Sequence, residues 1–129
     1  MEGVTDAPMR QLMSERGGFS HMVTEFLRVS QLVPPKHLFA RHMVELRANS
    51  LTATGTPVIL QLLGGHAERL AQSAALACEL GAGGIDLNFG CPAPTVNSHD
   101  GGATLLKYPH RIEEIVSAVR RAVPAHLPV

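Results

Sequence analysis

Thr56-Pro-Val-Ile-Leu-Gln-Leu-Leu-Gly-Gly65 reads as a strand with both ends marked. Thr56-Pro57 introduces it, six residues from Val58 to Leu63 form a compact apolar run, and a glycine pair closes it. Such a run, broken only by Gln61, suits a strand buried on both faces of a parallel sheet. His66 to Leu80 follows as an Ala-rich helix with Leu70, Ala74, Ala77 and Cys78 on one stripe, closed by Gly81. Gly84-Ile-Asp-Leu-Asn88 is then a second short strand. Strand, helix and strand in so short a stretch form a βαβ unit, which requires parallel pairing.

The same rhythm extends outward. Upstream, Asp6 precedes Ala7-Pro8-Met9 as an N-cap, Met9, Leu12 and Met13 mark the inward face of a helix, and Gly17-Gly18 ends it. Phe19 to Phe26 is expected as a strand. After Val33-Pro34-Pro35, a helix is expected from Lys36 to Leu46. Downstream, a polar loop runs to Gly102. Pro109 opens a last helix with Ile112, Ile115, Val116 and Val119 inward, and Leu127-Pro-Val129 begins what reads as one more strand.

Composition narrows the function classes. With 129 residues, the chain is one domain or part of one, and 45% apolar against 17% charged residues suits a packed core. No apolar stretch approaches the ~20 residues of a membrane span, and MEGVTDAPMR lacks the order of a signal peptide. Cys78 and Cys91 make no disulfide framework, so a reducing cytoplasm is expected. Eleven Lys and Arg balance eleven Asp and Glu. The net charge gives no electrostatic case for nucleic acid but leaves room for a local basic face.

Chemistry concentrates in Asp86-Leu-Asn-Phe-Gly-Cys-Pro92, at the C-terminal end of a buried strand. In α/β barrels that end carries the active site. A thiol with an ordinary pKa near ~8.5 can donate a proton as well as attack, so Cys91 has either role open, beside that of a packed loop residue. Gln61 offers a donor and an acceptor, or satisfies backbone groups. The seven histidines show no ligand spacing, and no metal is expected. Cys78 behaves as a small hydrophobe. Asp100-Gly-Gly-Ala103 is weak as a phosphate loop; a mobile loop carrying Cys91 and closing over a substrate is the expectation.

Four segments carry a resemblance: Met1-Glu-Gly-Val-Thr-Asp6, Thr24-Glu-Phe-Leu-Arg28, Gln61-Leu-Leu-Gly64 and Asn88-Phe-Gly-Cys-Pro92. Together with Gly101-Gly-Ala-Thr-Leu-Leu-Lys107 they resemble the tRNA-dihydrouridine synthase family, most closely its branch acting on uridine 16 of the D-loop. The resemblance implies FMN-dependent reduction of uridine to 5,6-dihydrouridine in tRNA, with NADPH as reductant. It implies Cys91 as proton donor to C5, Gln61 and the backbone of Met1 and Glu2 at the flavin, Asn88 at the uracil and Arg28 at the tRNA. The implied fold is a TIM (β/α)₈ barrel followed by a helical tRNA-binding domain. Residues 1–129 then span the first half of the barrel, from the end of strand one to the start of strand five, as a partial FMN-binding catalytic domain. The second half and the helical domain are expected to be absent, the isolated segment inactive, and the complete parent monomeric. Two alternatives stand beside this: another FMN barrel oxidoreductase of the dihydroorotate dehydrogenase kind, and a non-catalytic tRNA-binding relic.

Overall fold

The computed structural model describes residues 3–97 and 101–129. Helix α1 (Ala7–Arg16) leads to strand β1 (Met22–Arg28), helix α2 (Lys36–His42) and a 3₁₀ turn (Val44–Ala48). Strand β2 (Val58–Leu63), helix α3 (Ala67–Glu79) and strand β3 (Ile85–Leu87) form the βαβ unit. The short α4 (Pro94–Asn97), a second 3₁₀ turn (Gly102–Lys107) and α5 (Pro109–Ala122) complete the described chain. Among the described residues the strands form one parallel sheet in the order β1-β2-β3, as the alternating pattern requires.

The core lies on one face of this sheet. Val58, Leu60 and Leu62 alternate along β2, and they pack with Leu70, Ala74 and Ala77 of α3 and Ile115 and Val119 of α5. Each fully buried Val, Leu or Ile side chain contributes about 1.5–3 kcal/mol. Gln61 and Ile59 point to the opposite, half-exposed face.

β1 contains a bulge. Val23 pairs with Ile59 and Phe26 with Gln61, so β1 takes three steps where β2 takes two. The buried Thr24 fills the gap: its hydroxyl donates to the Glu25 carbonyl at 2.7 Å and accepts the Gln61 N–H at 3.1 Å.

Several sequence expectations are corrected. β1 begins at Met22 rather than Phe19, because its ladder starts where the Met22 N–H reaches the Pro57 carbonyl, and it runs on to Arg28. The helix expected through Leu46 stops at His42, and the chain continues as the 3₁₀ turn that carries Glu45 inward. There Glu45 accepts two hydrogen bonds from the buried Arg10, at 2.9 and 2.8 Å. The apolar stripe of α1 does not face the core: Met9 is 40% and Leu12 53% exposed, whereas Arg10 and Ser14 are buried. Ser14 bonds the hydroxyls of Thr52 at 2.6 Å and Thr56 at 2.8 Å, so polar pairing fixes the rotation of α1. Val116 lies outward on α5. The loop to Gly102 contains α4, and residues 127–129 form no strand, although the Ile85 N–H donates to the Pro128 carbonyl at 3.1 Å.

Candidate functional site

Three site residues expected from sequence meet on the open face of the sheet, at the C-terminal ends of β2 and β3. Gln61 stands opposite Asp86 in the register. Asn88, two residues beyond Asp86, shares its face by the period of a strand. Gln61 Nε2 donates to Asp86 Oδ2 at 2.6 Å, and Asn88 Nδ2 donates to Gln61 Oε1 at 3.0 Å. Asn88 Oδ1 accepts the backbone N–H groups of Gly90 at 2.9 Å and Cys91 at 3.1 Å. The Gln61, Asp86, Asn88 and Cys91 side chains are all half-buried. The sequence alone assigns Asp86 no role. Its signal was the i, i+2 spacing to Asn88 opposite a lone Gln.

Cys91 is pinned from its other side as well. Its carbonyl accepts the Ala103 N–H at 2.9 Å. Gly102 lies against it in the left-handed region, φ +61°. Gly101 packs over Gly64 at the end of β2. The glycines therefore serve close packing around the thiol-bearing turn.

Arg28 does not join this cluster. From the end of β1 its Nη2 donates to the Thr95 carbonyl at 2.9 Å, at the far end of the turn that carries Cys91. Beside it opens a cavity of about 210 Å³ lined by Arg28, Gly64, His66, Arg69, Gly101 and Arg111, among others. Arg69 and Arg111 escaped sequence reasoning, because they sit on α3 and α5 in positions indistinguishable from solvated helix faces. Arg69 Nη1 donates to the Ser30 carbonyl and Arg111 Nη2 to that of Gly65, both at 3.0 Å.

Met1 and Glu2 lie outside the described residues, as do His99 and Asp100. The neighbouring Gly3 N–H donates to the Glu25 carboxylate. His42 is half-buried, with Nε2 2.6 Å from the Glu25 carbonyl oxygen. Among the described residues no three His, Cys, Asp or Glu gather as metal ligands, and no helix is long and apolar enough to cross a membrane. Cys78 packs at the edge of the core, where burial pushes its thiol above the ordinary value against a smaller opposing effect of Arg120.

Comparison with known proteins places these residues in context. The family model described as Dihydrouridine synthase (Dus) matches residues 1–129. A tRNA-dihydrouridine(16) synthase of Pseudomonas syringae pv. tomato is 51% identical over 129 residues, covering 100% of this chain and 41% of that protein. The tRNA-dihydrouridine(16) synthase of Pseudomonas putida is 52% identical and that of Neisseria meningitidis 44%, each over the whole of this chain. The chain spans about two fifths of the length of these curated relatives.

Proposed function

The chain belongs to the dihydrouridine synthase family, and from that premise we propose that it supplies part of the catalytic barrel of an enzyme reducing uridine to dihydrouridine at position 16 of tRNA. On this reading residues 1–129 are the first half of a TIM barrel, from the end of strand one to the start of strand five. The observation that carries it is the continuous hydrogen-bonded run from Gln61 through Asn88 to the Cys91 turn, on the strand ends where barrel enzymes place their chemistry.

The residues present fit a flavin. With one Nε2 hydrogen on Asp86 and one Oε1 lone pair on Asn88, Gln61 keeps one donor and one acceptor. That pair matches an N–H and C=O edge of the isoalloxazine pyrimidine, with the Met1–Glu2 backbone at the ring as a second contact. Bound there, FMN, recharged by NADPH, would supply the hydride for C6 of the uracil. Asn88 retains one Nδ2 hydrogen for a carbonyl of the target base, which must leave its stack to enter the site. Cys91 would deliver a proton to C5 as the general acid. Arg28 meets the tRNA backbone.

The test is Cys91→Ala in the full natural gene product. Flavin reduction by NADPH should be unchanged, while single-turnover formation of dihydrouridine falls by about 10²–10⁴-fold. Full product yield from the Ala variant removes Cys91 from the chemistry. A purified wild type without flavin absorbance overturns the reading as a whole.

A further inference from the structure

Both ends of the Gln61–Asn88 run are chemically unambiguous. The Gly90 and Cys91 backbone N–H groups can only donate, and the Asp86 carboxylate can only accept. Between them lie two side-chain amides, nearly symmetric in shape, whose orientation is dictated by their partners. We infer that Asp86 is the positioning residue of this site: its carboxylate orients the Gln61 and Asn88 amides and, through them, holds the turn that carries Cys91.

The argument runs one bond at a time. Asp86 draws Gln61 Nε2 to itself at 2.6 Å, which turns Oε1 toward Asn88. Oε1 then requires Asn88 Nδ2, 3.0 Å away, and this turns Asn88 Oδ1 toward the Gly90 and Cys91 N–H groups. The charge at the start of the run strengthens and polarises the bonds that follow. Without it, the Gln61 amide is held from the Asn88 side alone. Each excursion of Gln61 to the flipped orientation presents Nε2 to Asn88 Nδ2, donor against donor, and loosens the Asn88 amide that supports the turn. The inference rests on the proposed function only in giving the thiol a reaction to serve.

Backbone amide exchange in the full natural protein, without added flavin, is the deciding measurement. In Asp86→Ala the Gly90 and Cys91 N–H groups should exchange about tenfold faster, the loss expected of one net hydrogen bond. Asp86→Asn, which still offers an oxygen to Gln61, should restore most of the protection. The Val123 N–H, bonded to the Val119 carbonyl in the distant α5, should be unaffected in both. Unchanged exchange at Gly90 and Cys91 in the Ala variant overturns the inference, and so does an acceleration shared equally by Val123. In the same variant, single-turnover dihydrouridine formation should fall about tenfold with tRNA affinity unchanged. A wild type that forms no dihydrouridine sinks the functional reading, while the exchange data still decide the role of Asp86.

Discussion

A Cβ at Gly102 would lie 2.4 Å from the carbonyl oxygen of Cys91 and 3.2 Å from its Cβ. The neighbour is backbone, so nothing flexible can yield. With φ at +61° the position is also strained for any L side chain. Gly102→Ala should therefore destabilise the fold by at least about 1 kcal/mol. Gly90→Ala, which meets nothing within 4 Å, should stay within about 0.5 kcal/mol of wild type. Denaturant unfolding of the two variants side by side checks this, and equal midpoints would show that the Cys91 turn is not packed as described.

Arg10 and Glu45 form a bidentate ion pair with side chains only 2% and 7% exposed. Removing one partner strands the other charge away from water. Glu45→Gln or Arg10→Met should each cost about 3–5 kcal/mol, and the double replacement by apolar residues far less. Urea unfolding of the singles and the double reads this as a coupling energy. Additive losses would mean that the two residues act separately.

Arg28 holds the Thr95 carbonyl as well as facing the cavity, so alanine removes two things at once. Arg28→Lys separates them. In tRNA titrations the Lys variant should keep the wild-type salt slope, and Arg28→Ala should lower it by roughly one unit. Equal slopes for all three proteins would return Arg28 to an ordinary surface residue.

Cys78 holds its proton to higher pH than a free thiol, since burial outweighs the nearby Arg120. The folded state thus holds this proton more tightly than the unfolded chain. The sign follows: stability is unaffected below the unfolded thiol pKa and falls as pH rises from there through the folded value. Between those limits Cys78→Ser should flatten the decline in stability with pH, measured by urea midpoints in mildly alkaline buffers. At pH 8, iodoacetamide should also label Cys78 more slowly than a cysteine of an unfolded peptide.

The βαβ unit was legible because Val58–Leu63 and Ile85–Leu87 have apolar faces set by local periodicity, and the glycines mark their ends. Gln61, Asn88 and Cys91 were legible as residues but not as a connected set. Their contact depends on the register of β2 against β3, which no local pattern encodes. Asp86 was hidden for the same reason. On α1, periodicity pointed to Met9 and Leu12, while the buried face is set by Glu45 and Thr52 from much later in the chain. Arg69 and Arg111 acquire meaning only once α3 and α5 stand beside the end of β1.

The Thr24 hydroxyl, by taking up the Gln61 N–H at the bulge, lets the two halves of β1 keep separate count against β2. A deletion of one residue at 24 or 25 would bring the strand back into step and leave Phe26 facing Gln61. A deletion between 26 and 28 would instead shift Arg28 back by one place and turn it to the other side of the sheet. Length variation in this strand is thus absorbed at one point and forbidden at the next, as on a ruler with a single sliding joint.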